Sequence, residues 1–144
     1  MSARLSALAA AVLIAMTVAP GCGGDDGGSA ANNPADQAKQ VSEEFNKAFS
    51  SGDYRTACDL LHSRRKKDLE FEQSESCEDI LARAAETDSE LVKALGDTKT
   101  ASVSINGDTA TVDLEGAGPL GSGRQALLER DGDDWRVSEA AAGF

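Results

Sequence analysis

The sequence is poor in the side chains that most chemistry uses, with one histidine, one tyrosine, one tryptophan and four phenylalanines in 144 residues. Aromatics make up only 4%, so a domain of this size needs most of its large rings for its own interior. The single His62 and the lack of close Cys/His spacing leave no zinc motif. The pair Asp25-Asp26 sits in a glycine tract without the further oxygens that calcium gathers. There is no nucleophile elbow and no phosphate-cradling glycine motif opening a helix, so no cofactor is expected. Basic residues are scarce as well: 14 Lys and Arg stand against 25 Asp and Glu, for a net charge of -11. Such a surface repels phosphate backbones and anionic headgroups, which argues against a nucleic-acid partner and against electrostatic docking on a membrane.

The apolar run Leu8 to Met16, completed by Thr17-Val18-Ala19, is too short to span a bilayer comfortably. Preceded by the lone charge of Arg4, it has the form of an export signal. It ends in Ala19-Pro20-Gly21-Cys22, and the composition then flips to Gly23-Gly24-Asp25-Asp26-Gly27-Gly28. This junction resembles the lipobox of bacterial lipoproteins, although that family prefers a larger aliphatic residue at the place of Ala19, and Pro20 is an uncommon neighbour. The resemblance implies that the Cys22 thiol carries a diacylglycerol thioether. Buried acyl chains contribute about 0.8 kcal/mol per CH₂, so two or three chains retain a protein where one does not. The competing reading is an ordinary secretory signal with a free Cys22. Residues 1–21 are therefore expected to be a signal peptide and 22–34 a flexible Gly/Asp-rich tether. The domain, residues 35–144, is expected to be exported and held at the outer face of a bacterial cell membrane.

Three cysteines is an odd number, but lipidation of Cys22 leaves Cys58 and Cys77 as a pair in a compartment where disulfides persist. Asp59 to Ser76 separate them, and closing a loop near that length is worth roughly 3 kcal/mol in the chain-entropy model. Two buried free thiols are the alternative, and export makes it the weaker one.

After Pro34 the apolar positions Ala38, Val41, Phe45, Ala48 and Phe49 recur at three- and four-residue steps, the pattern of one helix face. Ser50-Ser51-Gly52 stops this helix and Asp53 can cap the next, which places Tyr54, Ala57, Cys58 and Leu61 on one side. The only basic run, Arg64-Arg65-Lys66-Lys67, reads as the solvated face of a short helix anchored by Leu69, with a grip on an acidic partner as the functional alternative. A third stripe follows in Cys77, Ile80, Leu81 and Ala84, with Ser76 as a cap and Glu78-Asp79 in the first turn. Between Thr87 and Lys99, Leu91, Val92 and Leu95 fit either a helix or a strand.

From Ala101 the period becomes two. Ala101, Val103 and Ile105 alternate with serines, and Ala110, Val112 and Leu114 alternate with Thr109, Thr111 and Asp113, on either side of Asn106-Gly107-Asp108. That is a strong hairpin signal. After the glycine-rich stretch Gly116 to Gly123, two more strands are expected at about Arg124 to Arg130 and Trp135 to Ser138, joined through Asp131-Gly132-Asp133-Asp134. Helices first and an antiparallel meander second define an α+β class.

The order of these features resembles the nuclear transport factor 2-like (cystatin-like α+β) superfamily, as carried by small bacterial lipoproteins. The residues that bear the resemblance are Phe45-Asn46-Lys47-Ala48-Phe49, Gly52-Asp53-Tyr54, Ala57-Cys58-Asp59-Leu60-Leu61, Cys77 before Ile80-Leu81, the hairpin Asn106 to Val112, and Asp131 to Val137. They span about Ala35 to Ala140. The resemblance implies a curved sheet wrapped around helices as a cone, with Phe45, Phe49, Val103, Val112, Leu114, Leu128, Trp135 and Val137 filling or lining it. Phe45, Phe49, Val112 and Trp135 are the candidate pocket residues.

Two functions follow as expectations. The first is a non-catalytic envelope module that binds a small apolar ligand or a partner protein. The second is an enzyme like the ketosteroid isomerases and polyketide cyclases of that superfamily, which need a carboxylate or histidine base facing hydroxyl or acid donors in a dry cone. His62 beside a charged run and Tyr54 at a helix start are poorly placed to converge. Asp113 alternates away from Val112 and Leu114, while Asp59 and Glu129 have no evident partner. The binding module is preferred.

Overall fold

The computed structural model describes residues 33–116, 123–141 and 143. The signal segment, Cys22, nearly all of the tether and residues 117–122 of the glycine-rich stretch lie outside the described residues. Five helices precede four strands: α1 (Pro34–Ser51), α2 (Tyr54–Leu60), α3 (Ser63–Gln73), α4 (Cys77–Thr87) and α5 (Ser89–Gly96), then β1 (Lys99–Asn106), β2 (Thr109–Glu115), β3 (Arg124–Asp131) and β4 (Asp134–Glu139). The strands form one antiparallel sheet in the order β1-β2-β3-β4, so the architecture is α+β.

Local chemistry sets the helix ends. Pro34 opens α1, where its missing N–H costs nothing, and the Asn33 side chain accepts the Ala35 N–H at 3.0 Å. Gly52, at φ 80°, closes α1 in the left-handed region that favours glycine. The side chains of Asp53, Ser76 and Asp88 accept the N–H of Thr56, Asp79 and Leu91, which starts α2, α4 and α5. The segment left open by its pattern is thus a helix through Gly96, followed directly by a strand from Lys99.

The inner face of the sheet carries Ala110, Val112, Leu114, Ala126, Leu128, Trp135 and Val137, all buried. Against it lies α1, which touches all four strands and presents Ala38, Phe45, Ala48 and Phe49. The registers Val103↔Val112, Val112↔Ala126 and Leu128↔Val137 place apolar side chains opposite one another across the meander. Phe45 and Phe49 stack with centroids 6.2 Å apart, and the Tyr54 ring meets Phe49 edge-on at 6.1 Å.

Edge strand β1 departs from the alternation expected of it. A bulge between Thr100 and Ser102 shifts the phase, so Ala101 is exposed while Val103 packs on the core. Ile105, at the far end of the strand, is 38% exposed. Helix α2 also stops one residue early: Leu61 is extended, pairs in parallel with Val137 and remains buried.

The sulfurs of Cys58 and Cys77 are bonded at 1.97 Å, with Cα atoms 6.0 Å apart. Both residues are buried, and the bond joins α2 to the first residue of α4, so α3 is enclosed in its loop.

Candidate functional site

The site begins where α2 gives way to α3. The His62 N–H donates to the Val137 carbonyl at 2.8 Å, and the Ser63 N–H donates to the Asp131 carboxylate at 2.9 Å. These two bonds fasten the start of α3 to the edge of β4 and the end of β3. The second also holds the Asp131 carboxyl below the ordinary aspartate value. The Ser63 backbone contributes most, then its side chain, with smaller attractions from His62 and Arg136 and a partial offset from desolvation.

His62 is 7% exposed. Its Nδ1 accepts the Arg64 N–H at 3.2 Å, so the neutral ring carries its proton on Nε2 and keeps a donor in reserve. The first turns of α3 supply Arg64, Arg65 and Asp68. The outward positions of β3 and β4, next to buried Leu128 and Val137, supply Glu129 and Ser138. Together these six residues line a cleft of about 180 Å³. The Ser138 hydroxyl donates to the Leu127 carbonyl at 3.1 Å, which leaves its oxygen able to accept.

Arg65 is the unusual member. Its Nε is buried and has no hydrogen-bond partner, and the side chain enters no ion pair among the described residues. A permanently charged donor left without an acceptor is costly, and a cleft beside it is where an acceptor can bind.

The residues expected to line a pocket lie elsewhere. Phe45, Phe49, Val112 and Trp135 are each at most 2% exposed within the core cluster. None lines this cleft or the two larger surface depressions. One of those, of about 410 Å³, lies among Pro34, Gln37, Asp108, Arg130, Gly132 and Asp133. The other, of about 400 Å³, lies between the end of α1 and α5. Trp135 has the Arg130 guanidinium 4.3 Å above its ring, and its Nε1 is buried without a hydrogen-bond partner.

Among the candidate bases, the structure brings His62 and Glu129 to one cleft, whereas Tyr54 lies at the start of α2 against Phe49. Asp113 faces outward and accepts from Ser102 and Gln125, bonds that hold its carboxyl below the ordinary aspartate pKa, with Ser102 contributing more. Asp59 is exposed and 3.9 Å from Lys66. Among the described residues no group of three His, Cys, Asp or Glu could hold a metal ion, and no helix is long and apolar enough to cross a membrane.

Sequence reasoning met Arg65 only within the run Arg64 to Lys67, read first as a solvated face and second as a grip on an acidic partner, and it did not single out Ser138. The spacing of His62, Arg65 and Leu69 at three- and four-residue steps was the available signal, because it puts Arg65 on the inner side of an otherwise charged helix. No family model, curated protein or solved structure matches this chain.

Proposed function

We propose that this protein is an exported lipoprotein, anchored through Cys22 to the outer face of a bacterial cell membrane, with a non-catalytic binding domain of nuclear transport factor 2-like type. The disulfide supports export, since such bonds persist outside the reducing cytoplasm. The binding role rests on one observation: the buried, unpartnered Arg65 Nε beside buried His62 in a cleft. Core packing of Phe45, Phe49 and Trp135 directs this reading toward a polar ligand rather than an apolar one.

The cleft holds roughly six waters at about 30 Å³ each, well below the size of a drug-like site, so its ligand is small. Arg65 and His62 suit a carboxylate, while Glu129 and Asp68 suit a cationic group. A zwitterion of amino-acid or peptide-terminus size satisfies both.

The sole histidine gives an unambiguous probe. Titration of the protein with alanine and dialanine should shift the His62 ring resonances in a saturable way, and Arg65→Gln should weaken that response at least tenfold. Unmoved His62 resonances at millimolar ligand overturn the cleft. The anchor is tested separately: Cys22→Ser should move the protein from the detergent phase to the aqueous phase in a cloud-point partition, and no movement rules out the lipid.

A further inference from the structure

The outward side of α3 carries a pattern that extends past the cleft, sharing Arg64 and Asp68 with its rim and adding Lys67 and Phe71. Arg64, Lys67, Asp68 and Phe71 are all exposed. At 3.6 residues per turn they fall within one arc of about 100°. Phe71 is 87% exposed, far more than any other large apolar side chain in the described structure. None of these four side chains has an ion pair or a ring contact among the described residues. A large ring held out in water on an ordered helix is the typical anchor of a contact surface.

The order of charges selects the partner. The first half of α3 is basic, from Arg64 to Lys67, and the second half is acidic, with Asp68, Glu70 and Glu72. A uniformly acidic protein or an anionic bilayer would meet attraction at one end of this face and repulsion at the other. A copy of the same helix running the opposite way meets complementary charge at both ends.

We infer that α3 pairs antiparallel with α3 of a second copy, about a two-fold axis passing between Lys67 and Asp68. In that register Lys67 faces Asp68 of the second copy, and Arg64 lies over the ring of its Phe71, each contact occurring twice by symmetry. The Arg130–Trp135 pair shows the same kind of contact within one chain. Two helices of 11 residues bury less than a standard stable interface, so the pairing is weak in dilute solution. Confinement to a membrane, which rests on the lipid reading, raises the effective concentration and makes such a contact sufficient.

The test is photocrosslinking of the full-length chain in the membranes of an expression host, with benzoylphenylalanine replacing Phe71. The expected product has twice the chain mass, and its crosslinked peptide contains Arg64. Lys67→Asp should reduce that product about fivefold, because two exposed attractive pairs become repulsive. Adding Asp68→Lys to the same chain restores the facing charges and should return the yield to within about twofold. An adduct to a lipid or to a different protein, a monomer alone, or a dimer indifferent to both substitutions each overturns the inference. All the substituted positions are exposed, so folding is not at stake; equal Cys58–Cys77 bonding across the variants verifies this.

Discussion

Helices α1 and α3 are held in opposite ways. α1 buries six of its 18 residues, Phe45 and Phe49 among them, and lies across the whole sheet; α3 buries one of its 11, Leu69. Apolar packing fixes the first helix. Three local ties fix the second: the disulfide at its flanks, the Leu61–Val137 bridge, and the Ser63–Asp131 hydrogen bond. Freed from packing, the side chains of α3 can be chosen for what they touch outside the fold, and this is where both the cleft and the self-complementary face are found.

Breaking the packed region should have the largest effect. Phe49→Ala removes a fully buried ring and should destabilise the protein by about 3–5 kcal/mol in denaturant unfolding. Replacing Cys58 and Cys77 by serine should cost roughly 3 kcal/mol, and amide exchange should quicken most in α3 if ties rather than packing hold it. Uniform quickening in both helices would remove the distinction. Ser76→Ala deletes the cap of α4 and should cost about 1 kcal/mol in the same unfolding assay.

Acid should act more locally. Because the folded Asp131 carboxyl lies below its ordinary value, its contribution is complete above about pH 4 and disappears as pH falls through the depressed value. Protection of the Ser63 amide should therefore fall in that window, while the amides of α1 hold. Asp131→Asn should abolish this pH dependence. Smallest of all, Phe71→Ser should change unfolding stability by less than about 0.5 kcal/mol, since its ring is solvated in the single chain.

Much of the packed region was legible because each signal there agreed with its neighbours. The Phe45–Phe49 stripe, Pro34, Gly52, the Asp53 and Ser76 caps, and the Asn106-Gly107 turn all acted where their chemistry placed them. Lys99 and Thr100 were not legible as strand, because backbone pairing to Glu115 and Leu114 needs no apolar side chain. The bulge that exposes Ala101 leaves no mark in an alternating pattern. The cleft was hidden for a related reason: Arg65 lies in a run of four cations, and only the fold marks out the one whose Nε is buried without a partner.

Pro34, the first residue of α1, lines one depression with Gly132 and Asp133, and the neighbouring Asp131 holds the origin of α3. The start of α1 and the β3–β4 turn therefore lie side by side, and the residue before that turn ties down α3. Under the proposed anchoring through Cys22, the number of residues placed ahead of Asn33 sets the reach of the domain from its point of attachment, a length that can change without altering a single contact among the described residues.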